Sequence, residues 1–202
     1  SICNFKIKLK KKIYIESIFF IFFFFLTFFN FFSFFFFFIY FLTFTSFFFF
    51  FLNISSHLTN KRFFFIYGWL FGFCYFISNL YWISISLTFD QNYKFLIPFT
   101  IVLIPAFLAL FYGCISCLFF ILKPKKIVIS FLIFSLIFVI LEFIRGSILN
   151  GFSWNLVVYS FSNQLEFLSV TSIIGTYGLN LFCISLFTSP AIFILRDKKK
   201  DI

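Results

Sequence analysis

Long uncharged apolar runs, broken only by short basic clusters, constrain this chain more than any other feature. A helix of about 20 apolar residues crosses the ~30 Å hydrocarbon core of a bilayer. There it satisfies its own backbone N–H and C=O groups, which lipid cannot do. The chain is 63% hydrophobic and 11% charged, whereas soluble domains average roughly 45–50% apolar and about 25% charged. Mean hydropathy is +1.12. These values place it among integral membrane proteins. Phe supplies 46 of the 202 residues. Transfer energy depends on hydrophobicity more than on which apolar residue supplies it, so the Phe runs read as generic lipid-facing positions.

The expected fold is all-α, a polytopic transmembrane helix bundle of about six spans. A basic segment, 1–12, precedes an apolar run. That arrangement resembles a signal peptide, but no small-residue cleavage site follows, so the run reads as an uncleaved first span. The transmembrane domain covers 13–195, with spans at about 13–29, 31–52, 63–86, 95–122, 127–141 and 167–195. An outer loop occupies 142–166, and residues 196–202 form a basic tail. Gly68 and Gly72 make a GxxxG face that permits close helix approach. Tyr81 and Trp82 suit an interface, and Asn79 is expected to face the bundle interior, since a bare amide in lipid is costly. The fourth run exceeds the hydrocarbon thickness, and Pro105 inside it favours a kink.

Orientation follows from the basic residues. With the N-terminus in the cytoplasm, 14 of the 16 Lys and Arg fall on the inner side, leaving Lys94 and Arg145 outside. Both termini are then cytoplasmic. The net charge of +10 is accounted for by topology, with no nucleic-acid partner required.

The longest interruption of the apolar pattern is Glu142 to Tyr159, which carries a Glu–Arg pair, two glycines, a tryptophan and two asparagines. Glu142 and Arg145 are spaced i, i+3 and read either as an interfacial pair capping a span or as a headgroup contact by Arg145, whose guanidinium matches phosphate. Trp154 reads as an interfacial anchor or a substrate wall. The five cysteines lie mostly in apolar runs, where Cys114 and Cys117, despite their C-x-x-C spacing, read as packing residues. His57 is the single histidine and sits in a polar loop. No P-loop, dinucleotide fingerprint or zinc spacing is present, so neither cofactor nor metal is expected.

Leu141 to Ser160, L-E-F-I-R-G-S-I-L-N-G-F-S-W-N-L-V-V-Y-S, resembles the membrane domain of bacterial apolipoprotein N-acyltransferase. The family pattern is approximately E-x-x-R-G-x-x-x-T-G-F-P-W-x-x-x-G-Y, matched here by Glu142, Arg145, Gly146, Gly151, Phe152, Trp154 and Tyr159. Asn150, Ser153 and Val158 depart from it. Gly68 to Ile83, Leu96-I-P-F, Pro105-A-F-L-A-L-F and Gly175-T-Y-G-L-N-L follow in the family's order, so the resemblance covers about 63–195. It implies transfer of an acyl chain from a phospholipid donor to the N-terminal diacylglyceryl-cysteine of a lipoprotein acceptor, in the bacterial inner membrane. The family reacts through a Cys thioester with Glu and Lys in a nitrilase-type domain. None of the present cysteines fits that role, so no catalytic residue is carried over.

The sequence starts at Ser1 and contains no Met, so it reads as a fragment, expected to be inactive alone and compatible with a separately encoded catalytic half. Arg145, Trp154 and Tyr177 are the expected lipid-binding residues, gathered at a lateral portal. The alternatives are a non-catalytic membrane remnant or interaction module and, less favoured because the spans lack internal charge and repeats, a small transporter.

Overall fold

The computed structural model describes residues 33–55, 60–122, 124, 126–148 and 155–196, and these contain helices and no strand. The expected first span, 13–29, His57 and Trp154 lie outside the described residues. Helix α1 is Ser33–Ser55, α2 is Lys61–Leu80 and α3 is the short Ile83–Ser86. A 3-10 turn, Gln91–Leu96, leads into α4, Ile97–Leu122, and α5 is Ile127–Ile148. A second 3-10 turn, Val157–Phe161, is followed by α6, Leu165–Ser169, and α7, Thr171–Arg196. Four stretches are long and apolar enough to cross a membrane, namely Lys61–Leu80, Gln91–Leu122, Ile127–Ile148 and Thr171–Ile194. A shorter apolar stretch, Tyr40–Asn53, lies in α1.

Glycine sets the tightest packing. On α2, a Cβ at Gly72 would lie 2.7 Å from Tyr112 Cβ, and one at Gly68 only 2.5 Å from the Tyr112 carbonyl oxygen. Across the seam α4 offers Ala109, Gly113 and Ser116, and Phe65 of α2 packs over Gly113. Small residues let two backbones approach where lipid supplies no hydrophobic drive. The Trp69 indole Nε1 donates to the Ala106 carbonyl at 3.0 Å and bolts the pair together. Pro105 sits inside a helix that continues from Ile97 to Leu122.

The Phe-rich α1 is not the generic lipid-facing run expected of it. Phe44, Phe47, Phe48 and Phe51 are buried in the core and do not face lipid. Their spacing places them on one helical face. Phe47 stacks on Phe71 at 3.9 Å, and Phe48 meets Phe134 at 4.7 Å. Phe51 meets Phe64 and Phe119 at 5.1 Å each. Thr45 of α1 donates its hydroxyl to the Phe187 carbonyl of α7. Phe48→Leu should therefore destabilise the bundle by about 1 kcal/mol, through lost ring volume in a packed site. Leu42→Ala, on the exposed face of the same helix, should change it by less than about 0.5 kcal/mol. Unfolding midpoints in detergent measure both, and equal shifts would refute the core assignment.

Three spans differ in detail from expectation. Helix α2 ends at Leu80, and α3 carries helical turns on to Ser86, the expected end of this span. The hydroxyls of Ser84, Ser86 and Thr88 donate back to the carbonyls of Tyr81, Ile83 and Ile85, which tightens the turns between α2 and the following 3-10 turn. Tyr81 and Trp82 are exposed at this end. Helix α5 runs to Ile148, past the expected end at 141. The sixth span is divided into α6 and α7, with non-helical backbone inside α7 at Gly175, φ 75° and ψ 160°. Only glycine adopts that region readily. A Cβ at this position would meet nothing within 4 Å, so any cost of substitution is conformational. Gly175→Ala should cost about 1–3 kcal/mol, and Gly175→Asn should not recover it, because asparagine favours the left-handed helical region instead. Thermal unfolding of the two variants checks this, and a neutral alanine would contradict the assigned backbone.

Candidate functional site

Helix α5 can extend beyond Leu141 because its charged pair has partners inside the bundle. Glu142 and Arg145 are 1% and 0% exposed. Arg145 Nη2 lies 3.7 Å from Glu142 Oε1, an ion pair between side chains spaced i, i+3 on one helix. The Tyr112 hydroxyl of α4 donates to the same oxygen at 3.2 Å. Asn180 of α7 donates through Nδ2 to Glu142 Oε2 at 2.6 Å. The Arg145 guanidinium carbon lies 5.1 Å from the centroid of the Phe76 ring of α2, within cation–π range. One carboxylate thus ties α4, α5 and α7 together, with α2 covering the arginine. The pair was read either as a cap on a span or as a headgroup contact by Arg145; both side chains are instead enclosed by protein. A buried charge needs both a counter-charge and hydrogen bonds, and three helices supply them here.

The segment after the undescribed 149–154 was expected to belong to an outer loop. In the structure it turns into the bundle. Leu156, Val157, Val158 and Phe161 are buried. The Phe161 ring stacks on Phe187 at 5.9 Å, about 12 residues beyond Gly175 and so roughly 18 Å along α7. Irregular backbone packed among apolar helices needs cover from protein and partners for its polar groups. Two tethers meet that requirement. The Val158 N–H donates to Asn180 Oδ1 at 3.0 Å, and the Tyr75 hydroxyl donates to the Asn155 carbonyl at 2.9 Å. Asn155 enters the segment with φ 59°, a left-handed conformation that asparagine accepts more readily than most residues.

Of the expected site residues, Trp154 lies outside the described ones, and Arg145 and Tyr177 are placed as follows. Arg145 points into the interior. Tyr177 is half-buried two residues past the Gly175 break, with its ring edge-on to Phe143 of α5 at 5.2 Å. Phe143 itself is exposed. Tyr177 therefore lies on the α5–α7 seam, whereas the printed partners of Arg145 are Glu142 on its own helix and Phe76 of α2. Asn79, expected inside, accepts from the Tyr40 hydroxyl at 2.7 Å and donates to the Tyr75 carbonyl at 2.7 Å. Sequence reasoning missed Asn180, Tyr112 and Tyr75 as members of the polar network. An amide inside the apolar run G-L-N-L was a signal for Asn180, by the same argument that placed Asn79. Tyr112 and Tyr75 are aromatic residues among many and gave none.

Chemically, the network holds and orients. Cys74, Cys114, Cys117 and Cys183 are free thiols. Among the described residues no three His, Cys, Asp or Glu side chains gather as a metal site would require.

Residues 23–187 match the family model described as the apolipoprotein N-acyltransferase N-terminal domain. The apolipoprotein N-acyltransferase of Rhodopseudomonas palustris is 39% identical over 129 residues, covering 63% of this chain and 24% of the relative. That of Rickettsia prowazekii is 40% identical over 124 residues, covering 61% and 25%. That of Brucella melitensis is 32% identical over 126 residues, covering 62% and 24%. The matched region thus spans about a quarter of the length of these relatives. No solved structure matches the chain.

Proposed function

Since the chain belongs to the apolipoprotein N-acyltransferase family, we propose that it serves as membrane domain of an enzyme that acylates lipoproteins. The acyl chain would pass from a phospholipid to the N-terminal diacylglyceryl-cysteine of the lipoprotein. The observation that carries this reading is the family match over residues 23–187. Within these residues we assign no group to the chemistry of acyl transfer; their part is to receive and align two lipid-bearing substrates.

The α5–α7 seam is the proposed lateral portal. Tyr177 and Phe143 line it, and the exposed Ile144, Ile148, Ile173 and Ile174 extend the apolar surface at the same helix ends. Trp154 is assigned to the rim of that portal. Arg145 supports it through the polar network that keeps α5 and α7 in register. The proposed topology has six spans with both termini cytoplasmic, in the bacterial inner membrane. In support, Lys61, Arg62 and Lys126 are exposed at the helix ends opposite Glu142, as the positive-inside rule requires.

A chimera tests the proposal. Residues 63–195 replace the corresponding stretch of the Rhodopseudomonas palustris relative in a bacterium depleted of its own N-acyltransferase. Mass spectrometry of a lipoprotein then reads N-acylation. Restored acylation that falls at least tenfold with Trp154→Ala and Tyr177→Ala together is the expected result. A membrane-inserted chimera that leaves lipoproteins diacylated would refute the reading.

A further inference from the structure

The carboxylate of Glu142 and the backbone of the inturned segment 155–161 are joined by one amide side chain. Asn180 presents Nδ2 to Glu142 Oε2 at 2.6 Å and Oδ1 to the Val158 N–H at 3.0 Å. An asparagine amide is a donor at one end and an acceptor at the other, and rotation by half a turn exchanges them. The rotated form would set oxygen against the Glu142 carboxylate and N–H against the Val158 N–H. Both contacts would be repulsive in a buried site, where an unmet polar group is costly. The acceptor at position 142 therefore decides which way Asn180 faces, and Asn180 in turn decides whether the Val158 N–H is met.

We infer that Glu142 is a positioning residue for segment 155–161, acting through Asn180 to hold that segment inside the bundle. This goes beyond the acyltransferase reading and does not depend on it, because it rests on the contacts of Glu142, Asn180 and Val158 alone. Of the hydrogen bonds linking it to the helices, one is this relay and one is the Tyr75–Asn155 contact. Burial of Leu156, Val157, Val158 and Phe161 adds apolar packing to these two bonds. A single acceptor on α5 thereby controls an element that begins directly after the Trp154 position in the chain, through a bond to Val158 four residues past it.

The test must separate the acceptor from the charge, since removing Glu142 alone leaves the Arg145 guanidinium buried without its carboxylate. Two double variants do so. Glu142→Gln/Arg145→Met keeps an acceptor at 142, and Glu142→Leu/Arg145→Met removes it; neither leaves a buried charge, and such exchanges are commonly tolerated. The reporter is Ser160→Cys, because the Ser160 hydroxyl is fully shielded. Ser135→Cys, on the buried face of α5, reports general loosening. The full chain is placed in membrane vesicles and the rate of labelling by a small maleimide is measured against the chain without the added cysteine.

Ser160→Cys should label slowly in the parent and in the Gln/Met variant, and about tenfold faster in the Leu/Met variant. Adding Asn180→Leu to the Leu/Met variant should raise the rate no further. Ser135→Cys should stay slow throughout. Equal Ser160→Cys rates in the two double variants would overturn the inference, as would an additional rise with Asn180→Leu. A parallel rise at Ser135→Cys would overturn it too, because Glu142 would then support the whole bundle and not this segment.

Discussion

Gly68→Ile is expected to separate α2 from α4 and to destabilise the chain by about 3 kcal/mol or more, the upper end of overpacking effects. The side chain has nowhere to go. The first added carbon already meets the Tyr112 carbonyl at 2.5 Å as well as the Ser116 side chain, and a backbone carbonyl in a helix cannot step aside as a flexible side chain could. Moving the helices apart would also break the Trp69–Ala106 hydrogen bond. In lipid, association depends on close packing between helices, so a lost seam is not recovered by the hydrophobic effect. Gly178→Ala is the control, because its Cβ would find only ordinary contact at 3.5 Å with Ile174, and it should stay within about 0.5 kcal/mol of the parent. Denaturant unfolding in detergent micelles reads both. A Gly68→Ile chain that unfolds at the parental midpoint would refute the assigned seam.

Glu142→Leu should cost about 3–5 kcal/mol, the usual effect of removing one partner of a buried pair. The loss is larger than the pair's own net contribution, because Arg145 remains in the interior without its carboxylate and Tyr112 and Asn180 lose an acceptor. Adding Arg145→Met should restore more than half of the lost stability, since replacing a whole buried pair by apolar residues is often close to neutral. The same unfolding assay decides. If the double variant is no more stable than Glu142→Leu alone, the cost does not come from an uncompensated charge and the buried pair has been misread.

The two charged residues that interrupt the apolar pattern were visible in the sequence, but their location was not. A Glu and an Arg at i, i+3 beside a long apolar run look the same whether they cap a helix at the interface or enter a core. What separates the cases is the presence of Tyr112 and Asn180, which lie 30 and 38 residues from Glu142 in the chain. Local pattern carries no information about such partners. The Phe runs failed for a related reason. Every position of Phe47 to Phe51 is apolar, so no polar face marks which side meets lipid, and Phe47 reads like Phe49 although one is buried and the other half-buried. Gly68 and Gly72 succeeded because absence of a side chain is itself a packing signal where glycine is scarce.

Helical class and membrane affinity were thus decided by sequence alone, because bilayer thickness and backbone hydrogen bonding leave an apolar run of this length few alternatives. The family blocks around Gly68, Glu142 and Gly175 were also legible there, as ordered residue types at set spacing. Only the tertiary structure decided that α5 carries its ion pair inward, that α1 packs Phe44, Phe47, Phe48 and Phe51 against its neighbours, and that residues 155–161 fold back among the helices. The physical reason is that a bilayer accepts any apolar side chain equally, whereas a hydrogen bond or a packed ring requires one particular partner at one distance, and that partner comes from a distant part of the chain.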